Sequence, residues 1–224
     1  MSSSHPIRRI AARALFVAGL FTSNAVFAGP PLICNPFEAG ESVGLPAGNP
    51  RDFHGASRSY DRTRVVGDAL AALTPDRPVI VRMETLRRAA VYATNGMEGL
   101  DHNRGYSADD RRLALRLLEK LRARITAATA TDDARALALF DVGFFSECLR
   151  QARLIDRTDG YDLLVKADRL RGGDPEIQFA LALALAGNSP RPPEQAEHLR
   201  LARSGARDGS LLAANLASHF GPRD

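Results

Sequence analysis

From Tyr60 onward, apolar residues recur every three or four positions and almost never alternate with polar ones. That period fits one face of a helix and does not fit a strand, so it restricts the chain to helical architectures. Val65, Val66, Ala69 and Leu70 form one stripe, and Val79, Met83, Leu86 and Ala90 a second. Leu113, Leu117, Leu121 and Ile125 recur at intervals of four, and Leu137, Phe140, Phe144, Cys148, Ala152 and Ile155 line the longest stripe. Ile177, Leu181 and Leu185 run down a further face. Pro78-Val79-Ile80-Val81 alone has a local strand character, and Pro78 suits the first turn of a helix instead.

Punctuation cuts these stripes into short helices. Asp61 caps the first, which Thr74-Pro75-Asp76 ends. Asn95-Gly96 stops the next, and a loop over Met97–Tyr106 follows. Ser107-Ala108-Asp109-Asp110 is a capping-box-like start for a helix to about Ala128, and Thr131-Asp132-Asp133 opens one ending near Ile155. Thr158 or Asp159 begins a helix that Gly172-Gly173 closes, and Asp174-Pro175-Glu176 supplies an N-cap, a proline at the first helical position and an acid in the first turn. Beyond Gly187-Asn188-Ser189-Pro190, two more helices cover about 193–204 and 208–219. Short amphipathic helices joined by tight turns predict an all-α fold of stacked helical hairpins, either a degenerate repeat array or an irregular bundle.

The N-terminus predicts export. Arg8, Arg9 and Arg13 precede the apolar run Ala14–Phe21, a polar break at Thr22-Ser23-Asn24, and the small-x-small step Val26-Phe27-Ala28. The run is well short of the roughly 20 residues that span a bilayer. Residues 1–28 are therefore read as a cleavable signal peptide, with a periplasmic or secreted product and no membrane span. Ile33 before Cys34 argues against lipidation, and Ile10-Ala11-Ala12 after Arg8-Arg9 argues against a twin-arginine signal. Prolines at 30, 31, 36, 46 and 50, interleaved with Gly40, Gly44, Gly48 and Gly55, make residues 29–59 an irregular arm before a helical domain over 60–224.

The formal charge of +4 comes from 30 basic and 26 acidic residues. Three of the arginines lie in the leader, which has no acid, so the remainder carries 27 basic against 26 acidic residues. Both signs are mixed along the helices, without the concentrated basic field of a nucleic-acid binder. Cys34 and Cys148, an even pair in an oxidising compartment, are expected to form a disulfide tying the arm to the body; two separate buried thiols are the alternative. Closing so long a loop is worth on the order of 4–5 kcal/mol in the chain-entropy model.

Familiar chemistry is absent from the sequence. Gly55-Ala56-Ser57-Arg58-Ser59 lacks the second glycine and the preceding strand of a serine elbow. Glu194-Gln195-Ala196-Glu197-His198 lacks the first histidine of an H-x-x-E-H zinc motif and reads as a solvated helix face. No catalytic, cofactor or metal-binding residue is assigned. The ligand candidates are Arg82, Glu84 and Arg88 on an arginine-rich helix, expected as solvated or paired surface charges, and Asp101 and His102 in the loop before Ser107.

A shift of 35 residues aligns Leu164 with Leu199, Ala167 with Ala202, Leu181 with Leu216 and Ala182 with Ala217. With Asp174-Pro175 opening its second helix, Tyr161–Leu185 resembles a degenerate tetratricopeptide repeat. Gly29-Pro30-Pro31-Leu32-Ile33-Cys34-Asn35-Pro36-Phe37 and Val81-Arg82-Met83-Glu84-Thr85-Leu86-Arg87-Arg88-Ala89 resemble segments of an uncharacterised group of exported bacterial proteins. That resemblance implies an exported helical fold and carries no activity. The functional expectation is a non-catalytic exported module that binds a protein partner. The alternative is an enzyme or small-ligand binder whose site joins the 97–106 loop to the 82–88 helix.

Overall fold

The computed structural model describes residues 31–40, 44–48, 57, 59–94, 106–128, 130–186 and 192–221. The leader, Asp101 and His102 lie outside the described residues. Every regular element among those described is helical. The α-helices are α1 (Pro31–Cys34), α2 (Val65–Ala72), α3 (Val79–Ala93), α4 (Ala108–Ala127), α5 (Asp132–Gln151), α6 (Gly160–Leu170), α7 (Pro175–Ala186), α8 (Pro192–Gly205) and α9 (Leu211–Phe220), with a 3-10 turn at Arg62–Arg64. Consecutive helices pack as hairpins, most extensively α5 with α6 and α7 with α8. None is long and apolar enough to cross a membrane.

The predicted caps form as chemistry demands. Ser107 accepts from the Asp110 N–H at 3.1 Å while Asp110 accepts from the Ser107 N–H at 3.0 Å, a reciprocal capping box. Thr131 accepts from the Ala134 N–H at 3.1 Å and Asp174 from the Glu176 N–H at 2.9 Å. Gly172 and Gly173 take φ of +66° and +84°, the left-handed backbone that ends α6. Helix α5 stops at Gln151, short of Ile155, because Arg153 turns left-handed at φ 59° and the Leu154 N–H closes on the Leu149 carbonyl at 2.9 Å. At the α5–α6 crossing, Gly143 and Gly160 bring backbone against backbone, and a Cβ on Gly143 would stand 2.7 Å from the Gly160 carbonyl oxygen.

Helix α3 is the centre of the molecule, touching α1, α2, α4, α5 and α7. The expectation that its charges lie on the surface is corrected: Arg82, Glu84 and Arg87 are 3%, 0% and 1% exposed. Apolar side chains cover the remaining faces, with Val79, Ile80, Met83, Leu86, Ala89, Ala90, Val91 and Tyr92 all buried. No face is left for water.

The described part of the arm is irregular beyond α1 and built into this core. Leu32, Ile33, Phe37 and Leu45 are buried, each contributing roughly 1.5–3 kcal/mol of transfer free energy. The Phe37 ring meets Phe144 and Phe179 edge-on at 6.0 and 6.1 Å and stacks on His219 of α9 at 4.8 Å.

Candidate functional site

Among the ligand candidates, Arg82, Glu84 and Arg88 are structural struts. Arg82 grips Asp141 of α5 with two bonds, 2.8 Å from Nε and 2.6 Å from Nη2, and donates a third to the Thr74 carbonyl at 2.6 Å. Glu84 accepts from Arg87 at 2.7 and 2.9 Å, from Arg88 at 2.7 Å and from the Phe37 N–H at 2.9 Å. Burial alone would raise its pKa, but Arg87, Arg88 and these donors outweigh burial and hold the carboxyl below its ordinary value. The two arginines then reach the arm, Arg87 donating to the Ile33 carbonyl at 3.0 Å and Arg88 to that of Leu45 at 2.6 Å. One α3 carboxylate thus organises the docking of Ile33, Phe37 and Leu45.

The disulfide expectation is corrected: Cys34 and Cys148 are both free, buried thiols. Burial pushes each thiol upward in pKa, with Arg87 opposing, so neither resembles an activated nucleophile. Hydrogen bonds make the tie instead. The Leu32 N–H donates to Gln151 Oε1 at 2.9 Å, and Asn215 of α9 holds the main chain at Glu38, accepting from its N–H at 2.9 Å and donating to its carbonyl at 2.8 Å.

Where α3 ends, Arg62 satisfies its last carbonyls, donating to Tyr92 at 2.6 Å and Ala93 at 3.1 Å, and pairs with Asp110 at 2.5 Å. Beside it opens a groove of about 420 Å³ lined by Arg62, Thr63, Asp109, Asp110, Arg112, Leu113 and Arg116. The groove continues onto the outward face of α4. There Arg112, Arg116 and Lys120, spaced by four, form an exposed basic stripe, with Arg112 paired to Asp109 at 2.9 Å. Leu115 lies among them at 47% exposure, the one exposed large hydrophobic side chain among the described residues. By contrast the exposed Arg111 and the half-buried Arg124 bond to neighbouring segments, donating to the carbonyls of Leu154 (3.0 Å) and Leu70 (2.6 Å). The helix thus has a face that holds the fold and a face that nothing in the described chain covers.

A second polar cluster joins α6, α7 and α8. Tyr161 donates to Glu194 at 2.6 Å and meets His198 Nε2 at 2.9 Å; His198 Nδ1 lies 2.6 Å from Gln178 Oε1, and Gln178 Nε2 donates to Asp168 at 2.8 Å. The reading of Glu194–His198 as a solvated face is therefore corrected: Glu194 and His198 are half-buried and joined to neighbouring helices. Sequence reasoning missed this chain, and the groove, because each assembles from residues of separate elements. No group of three or more His, Cys, Asp or Glu among the described residues is arranged to hold a metal ion. No family model matches the chain, and no curated protein or solved structure matches it.

Proposed function

We propose that this chain is an exported, non-catalytic helical module that binds an envelope protein through the outward face of α4. The observation that carries the reading is Leu115, exposed within a stripe of Arg112, Arg116 and Lys120 beside the 420 Å³ groove. An apolar contact bordered by Glu119 and flanked by Arg112, Arg116 and Lys120 suits a protein surface that carries mainly acidic groups, with charge guiding encounter and Leu115 contributing burial. The leader pattern of residues 1–28 supports export, and the common 35-residue shift from Leu164 of α6 to Leu199 of α8 and from Leu181 of α7 to Leu216 of α9 supports a degenerate tetratricopeptide-like pair.

The test is photo-crosslinking in the native envelope from position 115, with position 166 on α6 as control. A discrete adduct at 115 that disappears with Arg116→Glu/Lys120→Glu is expected. Equal labelling from both positions, or an adduct indifferent to the charge reversal, would contradict the proposal. Export is checked by the N-terminus of the native protein, expected at Gly29; a native form that keeps residues 1–28 would refute it.

A small-ligand site is the second reading, favoured by the groove volume, which lies within the usual range for such sites. Its location would be Arg62, Arg112 and Arg116 rather than the 82–88 helix, whose Arg82 and Arg88 are bonded internally.

A further inference from the structure

Helix α9 is held by a small set of side chains. It packs chiefly on α7 and α8, and its buried residues are Leu212, Asn215, Leu216 and His219, against nine in α7. A ten-residue helix has little stability of its own, so it does not persist once those contacts break. Two of the four reach the arm. Asn215 clamps the main chain at Glu38, whose own side chain is exposed. The His219 ring lies face to face with Phe37 at 4.8 Å and edge-on to Phe179 at 5.6 Å. Phe37 is separately bonded through its N–H to Glu84, so α9 can leave while the arm stays docked.

The surroundings of that ring suit a neutral imidazole. His219 is 1% exposed, and the two phenyl rings against it offer little to replace the hydration of a charge. From α3 it faces Glu84 and Arg87, and that carboxylate is already shared between Arg87 and Arg88, which leaves the cluster with surplus positive charge. The arm brings the Pro36 carbonyl and α7 the uncharged Phe179 ring. From α8, Arg203 donates to the Gly221 carbonyl just beyond α9, another cation. Burial, joined by Arg87, outweighs the Pro36 carbonyl and Glu84 and holds the ring down at about 4. No other side chain in α9 titrates.

We propose that α9 is an acid-released flap: its closed position requires a neutral His219, and a proton on that ring frees the helix and uncovers the Phe37–Phe179 face. In the open flap the imidazole meets water and titrates near its ordinary value of 6.5, whereas the closed flap holds it at about 4. As the pH falls below about 6.5, the open form therefore takes up a proton that the closed form refuses. Between pH about 7 and 5 the population of open α9 should rise about twentyfold, and the rise ends below about pH 4, where both forms are charged. Opening breaks the Asn215–Glu38 clamp and leaves the Glu84 cluster and the α3–α5 packing in place. The flap is independent of any binding through α4.

The experiment is native-state hydrogen exchange on the full chain from pH about 7 to 5, corrected for intrinsic rates, comparing the amides of α9 with those of α5. The α9 amides should be less protected than those of α5 throughout, and their opening should increase about twentyfold on acidification. His219→Phe keeps an aromatic ring that takes no proton, so α9 opening should then ignore pH. His198→Gln removes the titrating imidazole of α8 and should leave the increase in place. Should His219→Phe fold poorly, the nuclear magnetic resonance titration of the His219 ring decides: it should stay neutral down to about pH 4. A ring already charged at about pH 6 would overturn the flap. So would α9 amides that open only together with α5, an opening indifferent to pH, or an increase that survives His219→Phe.

Discussion

Replacing Glu84 with glutamine is the most severe test of how α3 holds the molecule together. The change keeps the side chain's shape but removes the charge that balances Arg87, which is 1% exposed, and Arg88. It also turns the amide NH2 toward two of the four donors, because each carboxylate oxygen accepts from two. Removing one partner of a buried ion pair typically costs about 3–5 kcal/mol, because the remaining charge is desolvated without compensation. The exposed Arg64–Asp68 pair, 3.4 Å apart, supplies the contrast: Arg64→Ala should cost about 0–1 kcal/mol. In urea, with a slope of about 2 kcal/mol/M, the Glu84→Gln midpoint should fall by roughly 2 M. The Glu84→Met/Arg87→Met double variant should recover part of the loss, since no lone charge is then buried. A Glu84→Gln loss below about 1 kcal/mol would show that the cluster does not organise the core.

Other expectations test separate parts of the structure. Burial draws His219 down to about 4, outweighing the opposing Pro36 hydrogen bond and Glu84, with Arg87 acting in the same direction as burial. Between pH about 6.5 and 4 the unfolded chain therefore takes up a proton that the folded chain refuses. Stability should decline on acidification across that window by on the order of 3 kcal/mol, and His219→Phe should flatten the slope in chemical denaturation. Gly143→Ala forces its Cβ to within 2.7 Å of the Gly160 carbonyl and should lose about 1–3 kcal/mol by thermal unfolding, whereas a neutral result would mean that α5 and α6 do not cross there. Thiol titration should find Cys34 and Cys148 unreactive in the native protein and both reactive after denaturation without reductant; no thiols after denaturation would restore the disulfide.

Local chemistry was legible in the sequence. Ser107 with Asp110, Thr131, Asp174-Pro175 and Gly172-Gly173 act within one or two turns, so their neighbours in sequence are their partners in space. The apolar stripes likewise marked buried faces, including Phe140, Phe144 and Cys148. The burial of α3 was not legible. Arg82 is neutralised by Asp141, 59 residues away, and Glu84 by Arg87, Arg88 and an arm amide, so charges that look like surface are interior ones. One signal was available: Val81 and Tyr92 fall opposite the Val79-Met83-Leu86-Ala90 stripe, among Glu84, Thr85 and Arg88, which leaves no wholly polar side. The disulfide expectation failed for a related reason, since compartment and parity say nothing about the bonds from Gln151, Arg87 and Asn215 that already fix the arm.

Native-state hydrogen exchange at the Phe37 amide addresses the docking of the arm directly. That N–H donates to Glu84 at 2.9 Å inside the core, so it should exchange only through openings nearly as costly as global unfolding, together with α5 and α7. Exchange of Phe37 at the rate of an open chain, while the α5 amides stay protected, would contradict the account.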